Sequence, residues 1–343
     1  MSTIRDIARI ANVSISTVSR ALNGNVHVDD ATRALVLKYA SELNYHPNPL
    51  AQGLKMKQSH TIAYLIPNIE NLIYPSLAIA IELEARLFGY SVLLCNTLED
   101  SQTEKNYVEQ LKSRFVDGFI FSTARKGSAE SKTIMDLKEE GYPCVCLMRM
   151  APDQKDSVVV DNYCGACQGT QFLLQNQFKK IAFITGQDSL CLYDERYKGY
   201  LDTLNANGLE ADPRMVWPGF KRNTKIAYSV VKEKIAQGII PDAIFASSDP
   251  IAIDCLRAII DSGLKVPSDI SLMGFDNISI AELFNPALTT MEQPFYEMGR
   301  FATRMLISQI SKREKLGLEN KVFPTKIVIR ESVKLHKDKE KRG

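Results

Sequence analysis

The chain has 343 residues, which is enough for two or three domains. Its 45% hydrophobic and 24% charged residues are ordinary for a soluble globular protein, and a net charge of +2 shows no strong bias toward acidic or basic partners. No apolar run is long enough to span a membrane, and the N-terminus does not resemble a signal peptide. We therefore expect a cytoplasmic protein without a membrane partner.

The chain opens with two short amphipathic helices joined by a polar turn. Apolar residues recur at helical spacing in both: Ile4, Ile7, Ala8 and Ala11, then Val18, Ala21 and Leu22. Asn12 lies at the turn, where it tolerates a left-handed backbone, and either Ser14 or Ser16 can cap the second helix. The pattern predicts a helix-turn-helix, whose second helix lies in the DNA major groove, although an ordinary helical hairpin shares these features.

A third helix is predicted over residues 32–43, with Asp29 as its N-cap. Its inward stripe is expected to contain Leu35, Val36, Tyr39, Ala40 and Leu43. Two prolines, Pro47 and Pro49, end that helix, and the segment that follows is too short to be a stable helix by itself. Residues 50–57 are therefore expected to become helical only when something supports them.

These features resemble the headpiece and hinge of the LacI/GalR family of bacterial transcription regulators. The motif Val-Ser-x-x-Thr-Val-Ser-Arg-x-Leu-Asn is followed by Thr-Arg and by Asn-Tyr-x-Pro-Asn-x-x-Ala-x-x-Leu, a combination specific to that family. The resemblance continues to about residue 332. It implies four parts: a DNA-binding headpiece over 1–47, a hinge helix and linker over 48–59, an effector-binding and dimerisation domain over 60–332, and a basic tail over 333–343.

The body of the chain alternates strand and helix patterns. Strands are predicted at 61–67, 91–95, 118–121, 144–147, 181–184, 243–246 and 270–274, with helices at 77–88 and 101–114 among those between them. A capping box of Ser101 and Glu104 is expected to open the second of these helices. Repeated strand–helix units predict an α/β fold with two Rossmann-like lobes and a ligand cleft at the carboxyl ends of the strands.

The resemblance extends to the periplasmic sugar-binding proteins and implies three chain crossovers between the lobes. The first lobe then takes about 60–160 and 293–321, and the second takes about 161–292 and 322–332. The last helix, 294–310, returns to the first lobe. The last strand, 323–329, joins the second.

The expected DNA contacts lie on the second helix. The first two side chains of a recognition helix and one a turn later face base edges, which selects Ile15, Ser16 and Arg20. Arg20 can bind guanine through two hydrogen bonds, and Ile15 can contact a thymine methyl group. The resemblance adds contacts to phosphate or flanking bases: Thr17, Ser19, Asn23, His27 and Tyr45. For Ser19 and Asn23, helix capping and solvation are the alternative roles.

Residues 1–60 carry seven basic and four acidic side chains, so the headpiece has a modest excess of positive charge. The resemblance implies that Leu54 is the hinge leucine, which inserts into the minor groove, and that Lys55 contacts phosphate. The alternative role of Leu54 is an apolar contact within the dimer. One headpiece reads half of a palindrome, so we expect a homodimer on double-stranded operator DNA. The tail lacks leucine heptads, which argues against a coiled-coil tetramer.

The resemblance also implies the residues of the effector cleft. Tyr74 is the expected stacking ring, because a sugar site needs flat apolar surfaces beside polar groups that satisfy hydroxyls. Arg196 and Asp276 correspond to the cleft arginine and aspartate. The other expected contacts are Ser248, Asp249, Gln293 and, at a second aromatic position that the spacing leaves open, Phe220 or Arg222. Asp161, at the start of the second lobe, is expected to be structural.

One departure from the family pattern concerns charge. Where the family often has Asp-Arg, this chain has Met148 and Arg149, so a thioether replaces a carboxylate among the expected effector contacts. Basic residues are expected near the cleft at four positions: Arg149, Arg196, Lys221 and Arg222. Arginine forks suit anions, which predicts a phosphorylated or acidic sugar. The alternative is that these side chains pair with carboxylates, namely those of Asp161, Asp249 and Asp276.

Catalysis is a competing interpretation that the residues do not favour. The four histidines lie outside residues 61–335, and neither a Gly-x-Ser-x-Gly elbow nor a phosphate-binding glycine loop occurs. Cys144-x-Cys146 and Cys164-x-x-Cys167 have spacings found in zinc or redox sites, but the first pair should share one buried face of a strand. The second pair opens a helix packed with small residues. We expect free thiols, with no enzyme activity, metal or cofactor.

The predicted function is that of a transcription regulator, a repressor of a sugar-utilisation operon controlled by a small sugar or sugar derivative. A plain sugar-binding module would leave the headpiece unexplained. In some relatives a phosphocarrier protein binds the first lobe, and Tyr296 and Arg304 lie on the helix concerned. Control by such a protein corepressor is therefore the alternative to control by a sugar.

Overall fold

The computed structural model describes residues 3–22, 28–45, 58–127, 131–151, 153, 155–221, 224–311 and 320–336. The chain divides near residue 60 into two compact units. The N-terminal unit contains α1 (Ile4–Ile10), α2 (Ile15–Leu22) and α3 (Asp30–Glu42). Within the described ranges, no helix is both long enough and apolar enough to cross a bilayer.

The turn between α1 and α2 has the predicted left-handed residue, since Asn12 has a φ of 52°. Of the two candidate caps, Ser14 caps α2, because its hydroxyl accepts the N–H of Thr17 at 3.0 Å. Asp29 caps α3 by accepting the N–H of Thr32 at 2.9 Å. These local bonds fix where each helix begins, and so they fix which faces meet in the core.

A small apolar core holds the three helices together. Its buried residues are Ile7, Ala8, Ala11, Val18, Ala21, Val28, Val36 and Ala40. The predicted stripe of α3 is wrong at Leu35, which is exposed. Val36 and Ala40 lie one turn apart and centre the buried face, whereas Leu35 precedes Val36 by one residue and turns by about 100° away from it.

The C-terminal unit has fourteen described strands and eight described helices. The strands are β1 (Thr61–Ile66), β2 (Ser91–Asn96), β3 (Gly118–Phe121), β4 (Cys144–Leu147), β5 (Ser157–Val160), β6 (Ile181–Thr185), β7 (Val216–Pro218), β8 (Phe220–Lys221), β9 (Thr224–Lys225), β10 (Ala243–Ala246), β11 (Ser271–Asp276), β12 (Thr289–Glu292), β13 (Lys321–Phe323) and β14 (Lys326–Val328). The helices are α4 (Ile73–Leu87), α5 (Ser101–Ser113), α6 (Lys132–Glu139), α7 (Asn162–Gln175), α8 (Cys191–Ala206), α9 (Ala227–Ala236), α10 (Asp249–Asp261) and α11 (Phe295–Ile310).

Two six-stranded sheets form the centres of the two lobes. The first has the order β13-β5-β4-β3-β1-β2 and the second β14-β12-β11-β10-β6-β7. All neighbours are parallel except β14, which runs antiparallel to β12. The inner strands of both sheets are buried, as expected for parallel sheets covered by helices on both faces, whereas the edge strands β2, β7, β13 and β14 are partly exposed. Parallel strands bring their carboxyl ends to one edge of each sheet, where a ligand site is expected.

The predicted final strand 323–329 is wrong, because this segment forms two short strands in different sheets. Val322 and Phe323 pair with Val159 and Val160 of the first lobe, whereas β14 pairs with β12 of the second. Pro324 lies between the two strands and has no N–H to donate to a ladder. The chain therefore crosses to the second lobe after β13 rather than at residue 322.

Two further helix starts differ from prediction. Asp100 rather than Ser101 caps α5, accepting the N–H of Thr103 at 2.7 Å. Glu104 does not complete a capping box; it is buried, and burial raises the pKa of its carboxyl group. Helix α4 begins at Ile73, four residues before the predicted start, with the Asn71 side chain accepting the N–H of Ile73 at 3.3 Å.

Helix α11 lies on the first lobe, where it packs against α4. An added Cβ at Gly299 would lie 2.7 Å from the Cβ of Ala80, so the two helices approach closely at this glycine. Beside it, the buried carboxylate of Glu84 accepts hydrogen bonds from the Nε atoms of Arg300 at 2.7 Å and Arg304 at 2.5 Å. Burial opposes ionisation, but the two guanidinium groups outweigh it and lower the pKa of Glu84.

We expect Glu84→Gln to lower the free energy of unfolding by about 1–3 kcal/mol near neutral pH, because both arginines lose an ionic partner. Since the folded pKa of Glu84 is depressed, its contribution is complete above the unfolded value of 4.5 and is lost as the pH falls below it. Urea unfolding of both proteins should therefore show a difference at about pH 7 that shrinks toward about pH 3.

Glu82→Gln is the matched control, because Glu82 lies on the same helix and forms only an exposed pair with Arg86 at 3.9 Å. It should change stability by a few tenths of a kcal/mol at most. A Glu84→Gln effect that is as small as the control, or independent of pH, contradicts the structural role of Glu84.

Candidate functional site

The N-terminal unit presents one exposed face of α2. Ile15, Ser16 and Arg20 are exposed there, whereas Val18 and Ala21 face the core. Ile15 is 47% exposed, whereas Val18 and Ala21 on the opposite face are buried. The exposed face therefore carries an apolar, a small polar and a basic side chain within about one turn.

The other predicted DNA contacts are less accessible or lie outside the described residues. Thr17 and Ser19 are half-buried, and Tyr45 packs partly against the headpiece core. The Thr17 hydroxyl is also within 2.8 Å of the Ser14 hydroxyl, so it shares the capping network. Asn23, His27, Leu54 and Lys55, with the predicted hinge helix, lie outside the described residues.

In the C-terminal unit, a cavity of about 390 Å³ lies between the two lobes. Seven of the ten predicted effector residues line it: Tyr74, Met148, Arg149, Arg196, Phe220, Ser248 and Asp276. Arg222 lies outside the described residues. Asp249 and Gln293 are buried and do not line the cavity; each instead bonds to a group that shapes the cavity wall.

Arg196, on α8, is fixed from several directions. Its Nε donates to Asn162 Oδ1 at 2.9 Å, and its Nη1 donates to the Ser247 carbonyl at 2.6 Å and approaches Asp276 Oδ1 at 3.4 Å. The guanidinium also lies 3.6 Å from the centre of the Phe275 ring, a cation–π contact. Only the planar five-donor group of arginine can make all these contacts together.

Asp276 ends β11 and is held by a second buried carboxylate. Asp249 Oδ1 accepts the Thr290 hydroxyl at 2.5 Å, and its Oδ2 accepts the N–H of Ile278 at 2.9 Å, which anchors the turn after Asp276. An added Cβ at Gly274 would lie 2.2 Å from Asp249 Oδ1, so glycine makes room for this carboxylate. Asp249 thus shapes the site from behind rather than contacting a ligand.

The environment of Asp276 leaves one oxygen available. Gln293 Nε2 donates to Asp276 Oδ1 at 2.6 Å, whereas Asp276 Oδ2 has no hydrogen-bond partner among the described residues. Burial raises the pKa of both Asp276 and Asp249, and their mutual repulsion adds to this for Asp276. A buried acceptor without a partner at the wall of a cavity is suited to a hydroxyl group of a ligand.

On the opposite lobe, Arg149 has a carboxylate partner that the sequence did not indicate. Arg149 Nη2 donates to Glu99 Oε1 at 2.7 Å and lies 3.4 Å from the Tyr74 hydroxyl. Glu99 lines the cavity and also pairs with Arg125. With Arg196 beside Asp276, each of the two predicted cleft arginines that the structure describes has a carboxylate partner, which weakens the expectation of a strongly positive site.

Among the cavity residues that sequence reasoning missed, two had a signal in the sequence. Glu99 follows β2, and the carboxyl ends of parallel strands border the ligand site. Tyr193 precedes Arg196 by three residues, a spacing that puts both on one face of α8. Its ring centre lies 5.6 Å from the Arg196 guanidinium, and burial raises the pKa of its hydroxyl to about 12.

The cysteines are free thiols. Asp161 caps α7 by accepting the N–H of Cys164 at 2.8 Å. Cys144 and Cys146 are both buried, and burial raises the pKa of Cys144 to about 12. Cys164 is exposed, but its bond to the Asp161 carboxylate raises its pKa to about 11. The thiols of Cys144 and Cys164 are therefore poor nucleophiles at neutral pH. The described residues contain no cluster of three or more metal-binding side chains.

Comparison with known proteins finds two matching family models. Residues 3–48 match "Bacterial regulatory proteins, lacI family", and residues 170–333 match "Periplasmic binding protein-like domain". The ribose operon repressor of Halalkalibacterium halodurans is 35% identical over 334 residues, which are 97% of this chain and 98% of that protein.

Solved structures give the same result. The lac repressor dimer bound to operator and the anti-inducer ONPF is 27% identical with a TM-score of 0.85, covering 96% of this chain and 98% of that one. A complex of the transcriptional regulator CelR with cellobiose is 27% identical with a TM-score of 0.71, covering 97% of this chain and 100% of that one.

Proposed function

The chain belongs to the LacI family of bacterial regulatory proteins, and we propose that it represses a carbohydrate-utilisation operon under the control of a small sugar. Membership makes it a DNA-binding transcriptional regulator rather than an enzyme. The observation that carries the proposal is the pairing, in one chain, of an exposed helix face in the headpiece with a cavity lined by rings and hydrogen-bonding groups.

We assign the reading of bases to Ile15, Ser16 and Arg20. Arg20 supplies two parallel donors for a guanine edge, and Ile15 supplies an apolar contact for a thymine methyl group. Thr17, Ser19, Asn23, His27 and Tyr45 are proposed to bind phosphate or flanking bases. Leu54 and Lys55 are proposed to act from the hinge, Leu54 in the minor groove and Lys55 on a phosphate.

Arg20→Ala should weaken binding to a specific operator by about 1–3 kcal/mol, because a base contact is lost, while non-specific binding changes little. The operator is first selected from a pool of random duplexes, and its recovered sequence should be palindromic. Lys38→Ala is the control, because Lys38 is an exposed residue of α3 next to Glu42. Equal losses on specific and random DNA would assign Arg20 to the phosphate backbone instead.

We propose a homodimer that associates through the first lobe, since a palindrome requires two headpieces. Large apolar side chains are exposed on α4, on edge strand β2 and just after each: Ile79, Leu87, Phe88, Leu93, Leu94 and Leu98. An exposed apolar helix beside an open edge strand favours burial against a partner. The lac repressor structure to which this chain is similar is also a dimer.

Leu94→Glu should shift the protein toward monomers and reduce operator affinity, because a charge would be buried at the interface. Sedimentation velocity measures the association state. Val322→Glu is matched to it, since Val322 is 48% exposed on β13, the opposite edge of the same sheet. A Leu94→Glu protein that stays dimeric, or a Val322→Glu protein that dissociates, places the interface elsewhere.

The effector is proposed to bind in the cavity between the lobes. Arg149, Arg196 and Asp276 offer donors and an acceptor for hydroxyl groups, and Tyr74, Phe220 and Tyr193 offer rings. Met148 and Ser248 complete the proposed contacts, with Gln293 and Asp249 holding Asp276 in place. Binding across both lobes favours a closed state, and by linkage effector and DNA must change each other's affinity by the same factor.

A thermal-shift screen tests the effector. Neutral sugars, sugar phosphates, sugar acids and purines are added to purified protein, and a true effector should raise the melting temperature. The same compound should change operator affinity by the factor with which DNA changes the affinity of the compound. No shift with any compound at about millimolar concentration contradicts the sugar and favours the protein corepressor as the controlling ligand.

A further inference from the structure

Glu99 has an unusual backbone that brings its carboxylate to the cavity wall. Leu98 and Glu99, just after β2, have φ values of 54° and 58°, a left-handed conformation that residues other than glycine rarely adopt. The N–H of Glu99 donates to the Pro67 carbonyl at 3.1 Å, which fixes this turn against the end of β1. Strained conformations persist where surrounding contacts impose them, often at binding sites.

The carboxylate occupies the donors of two guanidinium groups. Glu99 Oε1 lies 2.7 Å from Arg149 Nη2, and Oε2 lies 3.3 Å from both Arg149 Nη1 and Arg125 Nη2. Arg125 also donates to the Glu99 carbonyl. The Arg149 side chain is only 6% exposed, so its charge depends on this partner rather than on water.

Glu99 is ionised at neutral pH. Burial by itself would raise its pKa, but the charges and hydrogen bonds of Arg149 and Arg125 outweigh burial and lower the pKa. A second anion that approached Arg149 would meet the charge of Glu99 and would compete with it for the same donors. A hydroxyl group meets neither difficulty, because it can accept from a guanidinium and donate to a carboxylate.

The two lobes present matching groups to the cavity. Arg149 with Glu99 lines it on the first lobe, and Arg196 with Asp276 lines it on the second. Each pair sets guanidinium donors beside carboxylate acceptors. Adjacent hydroxyl groups of a sugar require such alternating partners, whereas a phosphate requires donors alone.

We propose that Glu99 is a built-in counter-anion that makes the cavity selective for an uncharged, polyhydroxylated effector and excludes phosphorylated and acidic sugars. Its carboxylate lies where the anionic group of a charged ligand would bind Arg149, and it replaces the hydroxyl acceptor that Met148 does not provide. The inference rests on the proposed function for the identity of the site, and it names the chemical class of the ligand.

The test uses inorganic phosphate as the probe and calorimetry on the full chain. The wild-type protein should not bind it at about millimolar concentration, whereas Glu99→Gln should bind at least about tenfold more tightly, because the arginine donors are freed. Glu99→Asp keeps a negative charge and should exclude phosphate like the wild type. Glu70→Gln is the matched control, because Glu70 also lines the cavity but its carboxylate accepts from Asn68 Nδ2 at 3.4 Å rather than pairing with Arg149 or Arg125.

A double variant, Glu99→Gln with Arg149→Met, should lose most of the gained phosphate binding. Phosphate binding by the wild type equal to that of Glu99→Gln overturns the proposal, and so does a folded Glu99→Gln protein that gains none. If Glu99→Gln unfolds by itself, added phosphate should restore its folding, since the anion would replace the lost carboxylate. If phosphate fails to restore folding both in Glu99→Gln and in a second variant, Glu99→Ser, the proposal is also overturned.

A sugar panel separates this inference from the proposed function. D-ribose, cellobiose, ribose 5-phosphate and gluconate are titrated into the wild-type protein. Tight binding of ribose 5-phosphate or gluconate, without binding of a neutral sugar, overturns the proposed role of Glu99. The proposal that a sugar derivative controls the regulator then still holds. If Glu99→Gln gains binding of inorganic phosphate but the wild-type protein binds none of the sugars, the role of Glu99 in excluding anions is supported. Control by a sugar is then contradicted.

Discussion

The geometry of the cleft depends on the buried guanidinium of Arg196, because a charge that is removed from water needs an opposite charge and hydrogen-bond partners nearby. Its partners are Asn162 on α7, the Ser247 carbonyl after β10, and Phe275 and Asp276 on β11. One side chain on α8 therefore joins a second helix and two strands. Because these contacts hold the guanidinium from several sides, the wall of the cavity is ordered before a ligand arrives.

Local sequence was sufficient for the headpiece and for much of the sheet. Asn12 supplies the left-handed residue of the first turn, and Asp29 caps α3 through the N–H of Thr32, three residues away. The buried strands appear in the sequence as continuous apolar runs. Local patterns failed at two places where one neighbouring residue changed the outcome. Asp100, directly before Ser101, caps α5 in place of the serine. Pro324 separates β13 from β14, which the sequence pattern had joined into one strand.

The electrostatics of the cleft could not be derived in the same way. Glu99 and Arg149 are 50 positions apart, and their pairing depends on how two strand ends meet in space. Counting arginines suggested a positive site, whereas the fold places a carboxylate beside Arg149 and another beside Arg196. The role of Asp249 shows the same limit, since only the close approach at Gly274 reveals that it faces the inside of its own lobe.

The division of 321–328 between two sheets also affects how the protein is made. Neither six-stranded sheet can be completed until β13 and β14 have left the ribosome, whereas the three headpiece helices emerge within the first 45 residues. Domains fold largely in the order of synthesis, so a shortened chain would carry a formed DNA-reading helix on an unfinished body. If pairing of two chains needs the completed first lobe, prematurely terminated chains would be kept from occupying operators as dimers.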